Sequence, residues 1–492
     1  MHMRRSHAIS LAIAAGCILA LLPAARQARK RGLPPHPSKI SFESLDWQVP
    51  LGTPYRHELD GGLVVYIAED RSLPRVTLNA EIRYGSICDP AGKEGLGDMM
   101  ARLMRTGGTE LLTADSLDML LDLHAINVSF AQHDSRLSMS ASFLSEHLDT
   151  ALTLIGQMLF EPAFEQSRVD EERDVFMERI RHRFDNPGPL AVAAHAKAMY
   201  AGEENSRLAT EASLKSITRD DLVALHKRVL VRRNIIFGAA GDFDAGTLRS
   251  RIDKLFPPMP ADSTPVAFPE IGFERPHRAL VVHKPITQAY VRMSLPMFAR
   301  PHPDYYPASV LNHVLGGGSF SSRLNQSVRS DAGLTYSIYS SVVSNYTYPG
   351  TFYIHFHTKT ETTDDAIALV LAELRKIRES GITQEELTNA KSELIDQLPS
   401  MFRSQGDIVS HYTWNEYYGR SPDHYRVYAE KLQAITLDDV RGMARKYLDP
   451  DSLTFVVVSD TSVVFSDDAR EKFSLRDLSP AVVPADSVAQ LP

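Results

Sequence analysis

Cysteine and tryptophan are scarce in this chain, with two residues of each among 492. Cys17 lies in an apolar N-terminal run, which leaves Cys88 without an internal disulfide partner, so the fold must be held together by its core. An excess of positive charge is also missing, and the net charge of -8 argues against nucleic acid as the main partner. The length exceeds that of a single ordinary core, so we expect two to four domains.

Several catalytic signatures are absent as well. None of the 18 histidines forms a His-Glu-x-x-His pattern, and no Gly-x-Ser-x-Gly turn occurs. The one glycine-rich run before a helix contains no Gly-Lys-Ser/Thr and no dinucleotide fingerprint. These absences argue against a thermolysin-like peptidase, an ordinary α/β-hydrolase and a nucleotide-binding enzyme, although a serine triad without the turn is left open.

Residues 1–32 predict an export signal or an N-terminal anchor. Arg4 and Arg5 form a short basic region, and Ala8–Leu22 is an apolar run shorter than the roughly twenty residues of a spanning helix. Ala14–Cys17 resembles a lipoprotein box. We therefore expect an exported, periplasmic protein, with cleavage, lipidation and membrane anchoring through the N-terminus all left open.

The rest of the chain predicts a duplication. Residues 45–256 and 278–473 show the same order of elements, joined by a proline-rich linker at 257–277 and followed by a loose tail at 474–492. Strands occur in adjacent pairs separated by groups of helices, which is typical of the α+β class. The predicted strands correspond in order: 62–68, 75–84, 127–131, 136–143 and 234–240, against 278–283, 289–295, 334–343, 350–357 and 453–458.

The segment Gly95–Thr109 is the most informative of the first half. Its apolar residues recur at helical spacing, and Gly107-Gly108 ends the helix. The stripe consists of Leu96, Met99, Met100, Leu103 and Met104. Asp98 and Arg102 are four residues apart, so we expect them to form an ion pair on the surface of the helix.

This segment resembles the signature region of the pitrilysin-type (M16, insulinase-like) zinc peptidases, whose active members carry His-x-x-Glu-His on this helix. Asp98 and Arg102 stand in place of the two histidines, and Ala101 stands in place of the catalytic glutamate. Glu178 matches the third zinc ligand of the family, and Glu171 matches a supporting acid. An arginine cannot ligate a metal, and one carboxylate cannot hold zinc, so we expect no metal in this chain.

With the metal site lost, Glu178 is expected to pair with a neighbouring base, either Arg181 or Arg102.

The segment Gly316–Tyr336 is the second motif. Taken alone, it predicts a glycine-capped helix followed by a surface helix. It also resembles the second-half signature of the same family, in which an arginine and a tyrosine reach into the cleft. Arg329 and Tyr336 match them, and the resemblance implies that they act on the substrate together with the glycine-rich turn, Gly317, Gly318 and Ser319. An arginine can bind peptide carbonyls, and a tyrosine hydroxyl can donate to an oxyanion.

The resemblance implies two α/β sandwich half-domains of the pitrilysin/LuxS-like metallopeptidase type, facing each other across a cleft. In paired members of the family one chain carries the zinc motif and the other carries the arginine and tyrosine. It therefore implies that this chain is the non-metal, substrate-binding subunit of an exported heterodimeric zinc endopeptidase. The partner would be a homologous chain with His-x-x-Glu-His and zinc, and the substrates would be peptides. Two alternatives stay open: an inert scaffold of this fold, and a self-sufficient metallopeptidase with unrecognised ligands.

Overall fold

Apolar stretches form two β-sheets in the computed structural model, which describes residues 47–256, 265–318, 320–466 and 473–492. The predicted signal or anchor at 1–32, the start of the predicted linker at 257–264, and Ser319 lie outside the described residues. Val49–Pro492 form one compact unit. In the described ranges, no helix has the length and apolar character needed to cross a lipid bilayer.

The first sheet contains the strands of the first half. They are β1 Arg56–Leu59, β2 Leu63–Glu69, β3 Arg75–Ile82, β4 Asn127–Gln132, β5 Leu137–Leu144 and β6 Ile235–Gly241. The second sheet contains β7 Ala279–His283, β8 Gln288–Pro296, β9 Thr335–Val342, β10 Thr351–Lys359, β11 Thr454–Ser459 and β12 Ala481–Pro484. The spatial orders are β1-β2-β6-β3-β5-β4 and β12-β7-β11-β8-β10-β9. Five positions correspond between the sheets, with one parallel pair (β2/β6 and β7/β11) and three antiparallel pairs in each.

The outermost strand differs between the two sheets. In the second sheet it comes from the tail at 474–492, which corrects the expectation that this tail is loose. In the first sheet β1 precedes β2 and runs antiparallel to it, whereas in the second sheet β12 comes from residues 481–484 and runs parallel to β7. Val488 is fully buried, and the ammonium of Lys197 donates to the carbonyl of Leu491 at 2.6 Å. A strand of four residues is too short to show a clear alternation in the sequence, but the backbone of the tail completes a sheet edge.

Helices cover both sheets. In the first half they are α1 Leu96–Thr106, α2 Ala114–Leu123, α3 Leu148–Phe160, α4 Gln166–Arg181, α5 Pro187–Met199, α6 Glu211–Ser216, α7 Arg219–Val229 and α8 Ala245–Leu255. In the second half they are α9 Tyr305–Asn312, α10 Thr363–Ser380, α11 Gln384–Asp396, α12 Gln405–Tyr417, α13 His424–Ala434, α14 Leu437–Tyr447 and α15 Thr461–Val464. The predicted α+β class is confirmed, and each sheet forms its own apolar core with helices.

One predicted helix is shorter than expected. The apolar pattern of residues 384–402 predicts a single helix, but α11 ends at Asp396 and a 3-10 turn follows at Leu398–Met401. Pro399 lies in that turn, and a proline cannot donate the backbone hydrogen bond that would continue an α-helix.

Each half places one helix on the sheet of the other half. The apolar face of α5 packs on β7, β8 and β11 of the second sheet, and α12 packs on β2, β3 and β6 of the first. Gly238 of β6 permits the close approach of α12, because a Cβ atom there would lie 2.6 Å from the side chain of Val409. Reciprocal exchange of this kind fastens the two halves together from both sides.

Polar contacts fix the position of α12. The carboxylate of Glu416 accepts hydrogen bonds from Arg56 Nε at 3.0 Å, Arg56 Nη2 at 2.9 Å and the hydroxyl of Tyr66 at 2.8 Å. The indole Nε1 of Trp414 donates to Glu81 at 2.9 Å. These bonds join residues more than 300 positions apart in sequence, so they hold the halves in one arrangement.

Candidate functional site

The N-terminus of α1 is anchored by a buried carboxylate. Asp89 accepts hydrogen bonds from the hydroxyl of Tyr84 at 2.7 Å and from the backbone N–H groups of Gly95 at 2.9 Å and Gly97 at 3.2 Å. Burial raises the pKa of Asp89 to about 6, although these donors lower it. The predicted stripe is confirmed, since Met99, Met100, Leu103 and Met104 are fully buried. The helix therefore presents Asp98 and Arg102 on its other face.

Asp98 and Arg102 each pair with α4 rather than with each other, which corrects the expected ion pair. Nε of Arg102 lies 2.7 Å from Oε1 of Glu172, and Nη1 of Arg179 lies 3.8 Å from Oδ2 of Asp98. Glu172 is only 9% exposed, so its charge needs a cation nearby, and Arg102 supplies one. This interaction stabilises the fold more than a surface ion pair between Asp98 and Arg102 would. Two salt bridges thus join α1 to α4 at the motif positions.

Glu178 points away from α1. Its carboxylate lies 3.3 Å from Nη1 of Arg181, one of the two predicted partners, and 3.0 Å from Nε2 of His182. Glu171 pairs with Arg168 at 3.0 Å. The acids matched by resemblance are therefore one position away from the residues that face the motif helix.

The residues that sequence reasoning missed are Glu172 and Arg179. They are seven positions apart, two helical turns, and thus lie on one face of α4 with the buried residues Val169 and Phe176. Val169, Glu172, Phe176 and Arg179 have the spacing i, i+3, i+7 and i+10, and this pattern in the sequence could have indicated that they share one helix face.

The donor set at these positions does not fit zinc. It contains the guanidiniums of Arg102 and Arg179, the methyl group of Ala101 and the carboxylates of Asp98 and Glu172, both already paired with arginines. A guanidinium has no lone pair for a metal, and its charge repels a cation. Within the described residues, no group of three or more His, Cys, Asp or Glu side chains is arranged to hold a metal ion.

Arg329 and Tyr336 lie side by side and are joined by a hydrogen bond to the backbone. Nε of Arg329 donates to the carbonyl oxygen of Tyr336 at 2.8 Å, and the guanidinium carbon lies 4.5 Å from the ring centre of Phe320. Tyr336 is 89% exposed and Phe320 is 67% exposed. The result is an exposed patch of two aromatic rings around one cation. In the described part of the chain, no hydrogen bond, ion pair or ring contact joins this patch to Asp98 or Arg102.

The glycine-rich turn follows α9 as a widened helical turn, His313–Gly317. The N–H of Gly318 donates to the carbonyl of His313 at 2.7 Å, and a Cβ on Gly317 would lie 2.4 Å from the amide nitrogen of Asn312. Gly317 is exposed and Gly318 is buried. The amide nitrogen near Gly317 is the side-chain Nδ2 of Asn312, whereas a Cβ on Gly318 would lie 2.7 Å from the backbone oxygen of His313, so close packing of a side chain and of the backbone accounts for the two glycines.

Two duplicated α+β halves, with a motif helix on which Asp98, Ala101 and Arg102 stand in place of His-x-x-Glu-His, define a relative of the two-domain zinc peptidases. Residues 64–211 match the family model for insulinase (peptidase family M16), and residues 216–394 match the model for the peptidase M16 inactive domain. The chain belongs to the M16 family.

Known proteins of similar sequence and structure agree with this assignment. A protein of Helicobacter pylori named "Non-peptidase homolog YmxG" is 25% identical over 404 residues, covering 81% of this chain and 91% of that protein. The crystal structure of a peptidase M16 inactive domain from Pseudomonas fluorescens matches 85% of this chain and 99% of its own, with a TM-score of 0.74 and 21% identity. A chain of Complex III2 from Candida albicans matches 84% of this chain and 97% of its own, with a TM-score of 0.68 and 14% identity. The relative thus supports the family assignment, and the solved structures show that the chain has the fold of M16 proteins.

Proposed function

We propose that this chain is a catalytically inert M16 protein that acts by binding other proteins rather than by hydrolysing peptides. The observation that carries the proposal is the pair of salt bridges Arg102–Glu172 and Asp98–Arg179. Arg102 occupies one of the positions where a zinc peptidase carries a ligand, Arg179 pairs with Asp98 at another, and Ala101 offers no general base. The name of the Helicobacter relative, a non-peptidase homologue, supports the same conclusion.

A scaffold role follows from the architecture. The exchange of α5 and α12 fastens the halves together, which suits a subunit that presents a fixed surface. The similarity of fold to a chain of Complex III2 supports this role, since that chain is part of an assembly. The proposal places the protein in the periplasm or at the membrane, on the basis of residues 1–32.

The test is a search for metal-dependent cleavage. The full chain is incubated with a defined peptide pool, with and without added zinc, and products are identified by mass spectrometry while bound zinc is measured by elemental analysis. A homologue with an intact His-x-x-Glu-His motif, purified by the same route, is the positive control. We expect no cleavage above buffer. Cleavage that persists through purification, stops with a chelator and returns with zinc would overturn the proposal.

A second candidate function is favoured by the exposed patch of Phe320, Arg329 and Tyr336. A tyrosine that is 89% exposed and held beside an arginine is available to a second chain or to a peptide. In this role the chain binds peptide substrates and completes the active site of a homologous, zinc-bearing M16 partner in a heterodimer. The test is co-purification with such a partner followed by gel filtration, and a gain of peptidase activity on mixing that neither chain has alone.

A further inference from the structure

A cavity of about 390 Å³ lies in the second half, where three loops meet. These loops precede α9, join β9 to β10, and join α12 to α13. Two arginines, two histidines and four tyrosines line it, and no aspartate or glutamate is among its described lining residues. Its charged and aromatic wall includes Arg300, Arg420, His424, Tyr305, Tyr346 and Tyr418.

Aromatic rings hold both guanidiniums in the wall of this cavity. The guanidinium carbons of Arg300 and Arg420 each lie 4.5 Å from the ring centre of Tyr346. Arg300 also lies 4.1 Å from the ring centre of Tyr305, and Arg420 lies 5.4 Å from that of Tyr418. A guanidinium packed on a ring keeps the N–H groups at its edge available, and these groups match the two oxygens of a carboxylate or phosphate.

The hydrogen bonds of the two arginines leave donors available. Nε of Arg300 donates to the carbonyl of Ser344, and Nη1 of Arg420 donates to the side chain of Asn415, each at 3.3 Å. Nε of Arg420 is buried and has no hydrogen-bond partner among the described residues. A buried donor without an acceptor costs free energy, which a bound acceptor would recover.

The acids next to these loops, Asp304 and Asp423, pair with cations outside the cavity wall. Asp304 Oδ2 also lies 3.8 Å from Nδ1 of His302, and Asp423 accepts a hydrogen bond from Ser421, both in the wall. Asp304 binds Lys446 at 2.6 Å and Tyr447 at 2.8 Å, and Asp423 binds Arg426 at 2.6 Å. The cavity wall is therefore positive. The pKa of His424 is consistent with a positive wall. Burial, followed by the charges of Arg420 and Arg300, lowers this pKa to about 4, although the charge of Asp423 raises it.

We propose that this cavity binds a small aromatic molecule that carries a carboxylate or phosphate group, with the oxyanion on the available N–H groups of Arg300 and Arg420 and the ring against the tyrosines. The volume lies within the range of about 300–1,000 Å³ that is usual for small-molecule sites. A positive wall without carboxylates selects an anion, and the tyrosine rings favour a planar group over a bare ion. This inference is independent of the proposed function.

The test uses probes that share one ring. The full chain is titrated by calorimetry with phenyl phosphate, benzoate, phenol and inorganic phosphate. We expect phenyl phosphate or benzoate to bind at least tenfold more tightly than phenol and inorganic phosphate, and the stronger of the two identifies the oxyanion. Equal affinity for phenol and the anions, or for inorganic phosphate and phenyl phosphate, would overturn the proposal, as would binding of none of the four.

Variants locate the site. Arg300→Gln and Arg420→Gln should each weaken binding of the better probe by tenfold or more. Arg441→Gln is the matched control, because Arg441 is an exposed arginine of α14 outside the cavity wall, and it should leave the affinity unchanged. An equal loss in the control would overturn the assignment. The comparison of ring probes on the unaltered chain stands even if a variant fails to fold.

Discussion

Arg102 of α1 donates from Nε to Oε1 of Glu172 on α4 at a distance of 2.7 Å. Glu172 is 9% exposed, whereas the side chain of Arg102 is half exposed. The arginine thus neutralises a buried carboxylate from the position where an active M16 peptidase carries its second histidine. Arg102, which stands in place of a zinc ligand, instead forms a salt bridge between α1 and α4.

Removing Arg102 should therefore destabilise the fold. Arg102→Met leaves the Glu172 carboxylate buried without a cation, and we expect a loss of about 1–2 kcal/mol, at the low end for a buried pair because Arg102 is half exposed. Adding Glu172→Gln should recover most of it. Urea unfolding of the four proteins in a double-mutant cycle measures the coupling. Arg181→Met, at an exposed pair with Glu178, is the control and should leave the midpoint nearly unchanged. Additive effects of Arg102→Met and Glu172→Gln would contradict the prediction.

Glu416 should control the docking of α12. Glu416→Gln weakens the two bonds from Arg56 and the bond from Tyr66, and we expect a loss of about 1–3 kcal/mol together with faster amide exchange in residues 405–417. Hydrogen exchange read by mass spectrometry measures this directly. Glu430→Gln on α13, where the glutamate is 61% exposed and pairs only weakly with Arg426 at 3.5 Å, is the matched control. Unchanged exchange in α12 would show that apolar packing alone holds the helix.

The carboxylate of Glu416 also predicts a loss of stability at acidic pH. Burial would raise the pKa of Glu416, but the hydrogen bonds from Arg56 and Tyr66 outweigh burial and lower it below 4.5. A lowered pKa stabilises the fold above the unfolded value of 4.5, and that contribution is lost as the pH falls through the lower, folded value. The difference in stability between the native chain and Glu416→Gln should therefore shrink below pH 4.5.

Two histidines at the other exchanged helix, α5, predict a loss of stability on acidification that begins at a higher pH than the loss from Glu416. His195 of α5 and His355 of β10 share an interface with Arg292, Tyr353 and His357, and Nε2 of His195 is buried with no hydrogen-bond partner among the described residues. Burial, followed by the charge of Arg292, lowers the pKa of His355 to about 4 and that of His195 to about 3. The unfolded chain therefore binds more protons than the folded chain below the ordinary value of 6.5.

Stability should be complete above about pH 6.5 and should fall as the pH drops toward 4, by up to about 1.4 kcal/mol per pH unit for each histidine. Urea midpoints at pH 7, 6 and 5 measure the slope. His355→Gln and His195→Gln should each flatten it, whereas His277→Gln, at an exposed histidine, should leave it as it was. An identical slope in all four proteins would mean that other groups set the pH dependence.

Tyr336→Phe separates the second candidate function from the scaffold. If Tyr336 donates to an oxyanion in a partner's active site, the substitution removes that donor and should lower kcat of the reconstituted pair by about tenfold to a thousandfold with little change in KM. Arg329→Ala should also raise KM, because an arginine can bind peptide carbonyls before the transition state. Gel filtration checks that both variants still assemble. Unchanged kinetics in both would leave the scaffold as the function.

Local patterns predicted much of the fold. One apolar face and flanking turn residues predict helices at 114–123, 363–380 and 437–447, and the structure has helices with these boundaries, Ala114–Leu123, Thr363–Ser380 and Leu437–Tyr447. The helix α12 was not predicted. Its buried residues, among them Ile408, Tyr412, Thr413 and Asn415, lie on several faces and mix polar with apolar groups, so no single stripe marks it.

The motif positions show the same limit. The replacement of both histidines and the glutamate at Asp98, Ala101 and Arg102 was readable by position alone. The partners of Asp98 and Arg102 could not be predicted in the same way. Each residue could pair with the other along α1 or with a residue of the facing helix α4, and only burial in the folded protein decides between these partners.

The amino-acid sequence by itself determined the element order, the duplication and the absence of a His-x-x-Glu-His motif, since each depends on residue types at short spacing. The tertiary structure alone decided the exchange of α5 and α12, the sixth strand at 481–484, and the pairing of Arg102 with Glu172 and Arg179 with Asp98. These features join residues 70 to more than 300 positions apart, and their free energy comes from burying groups that no local pattern brings together.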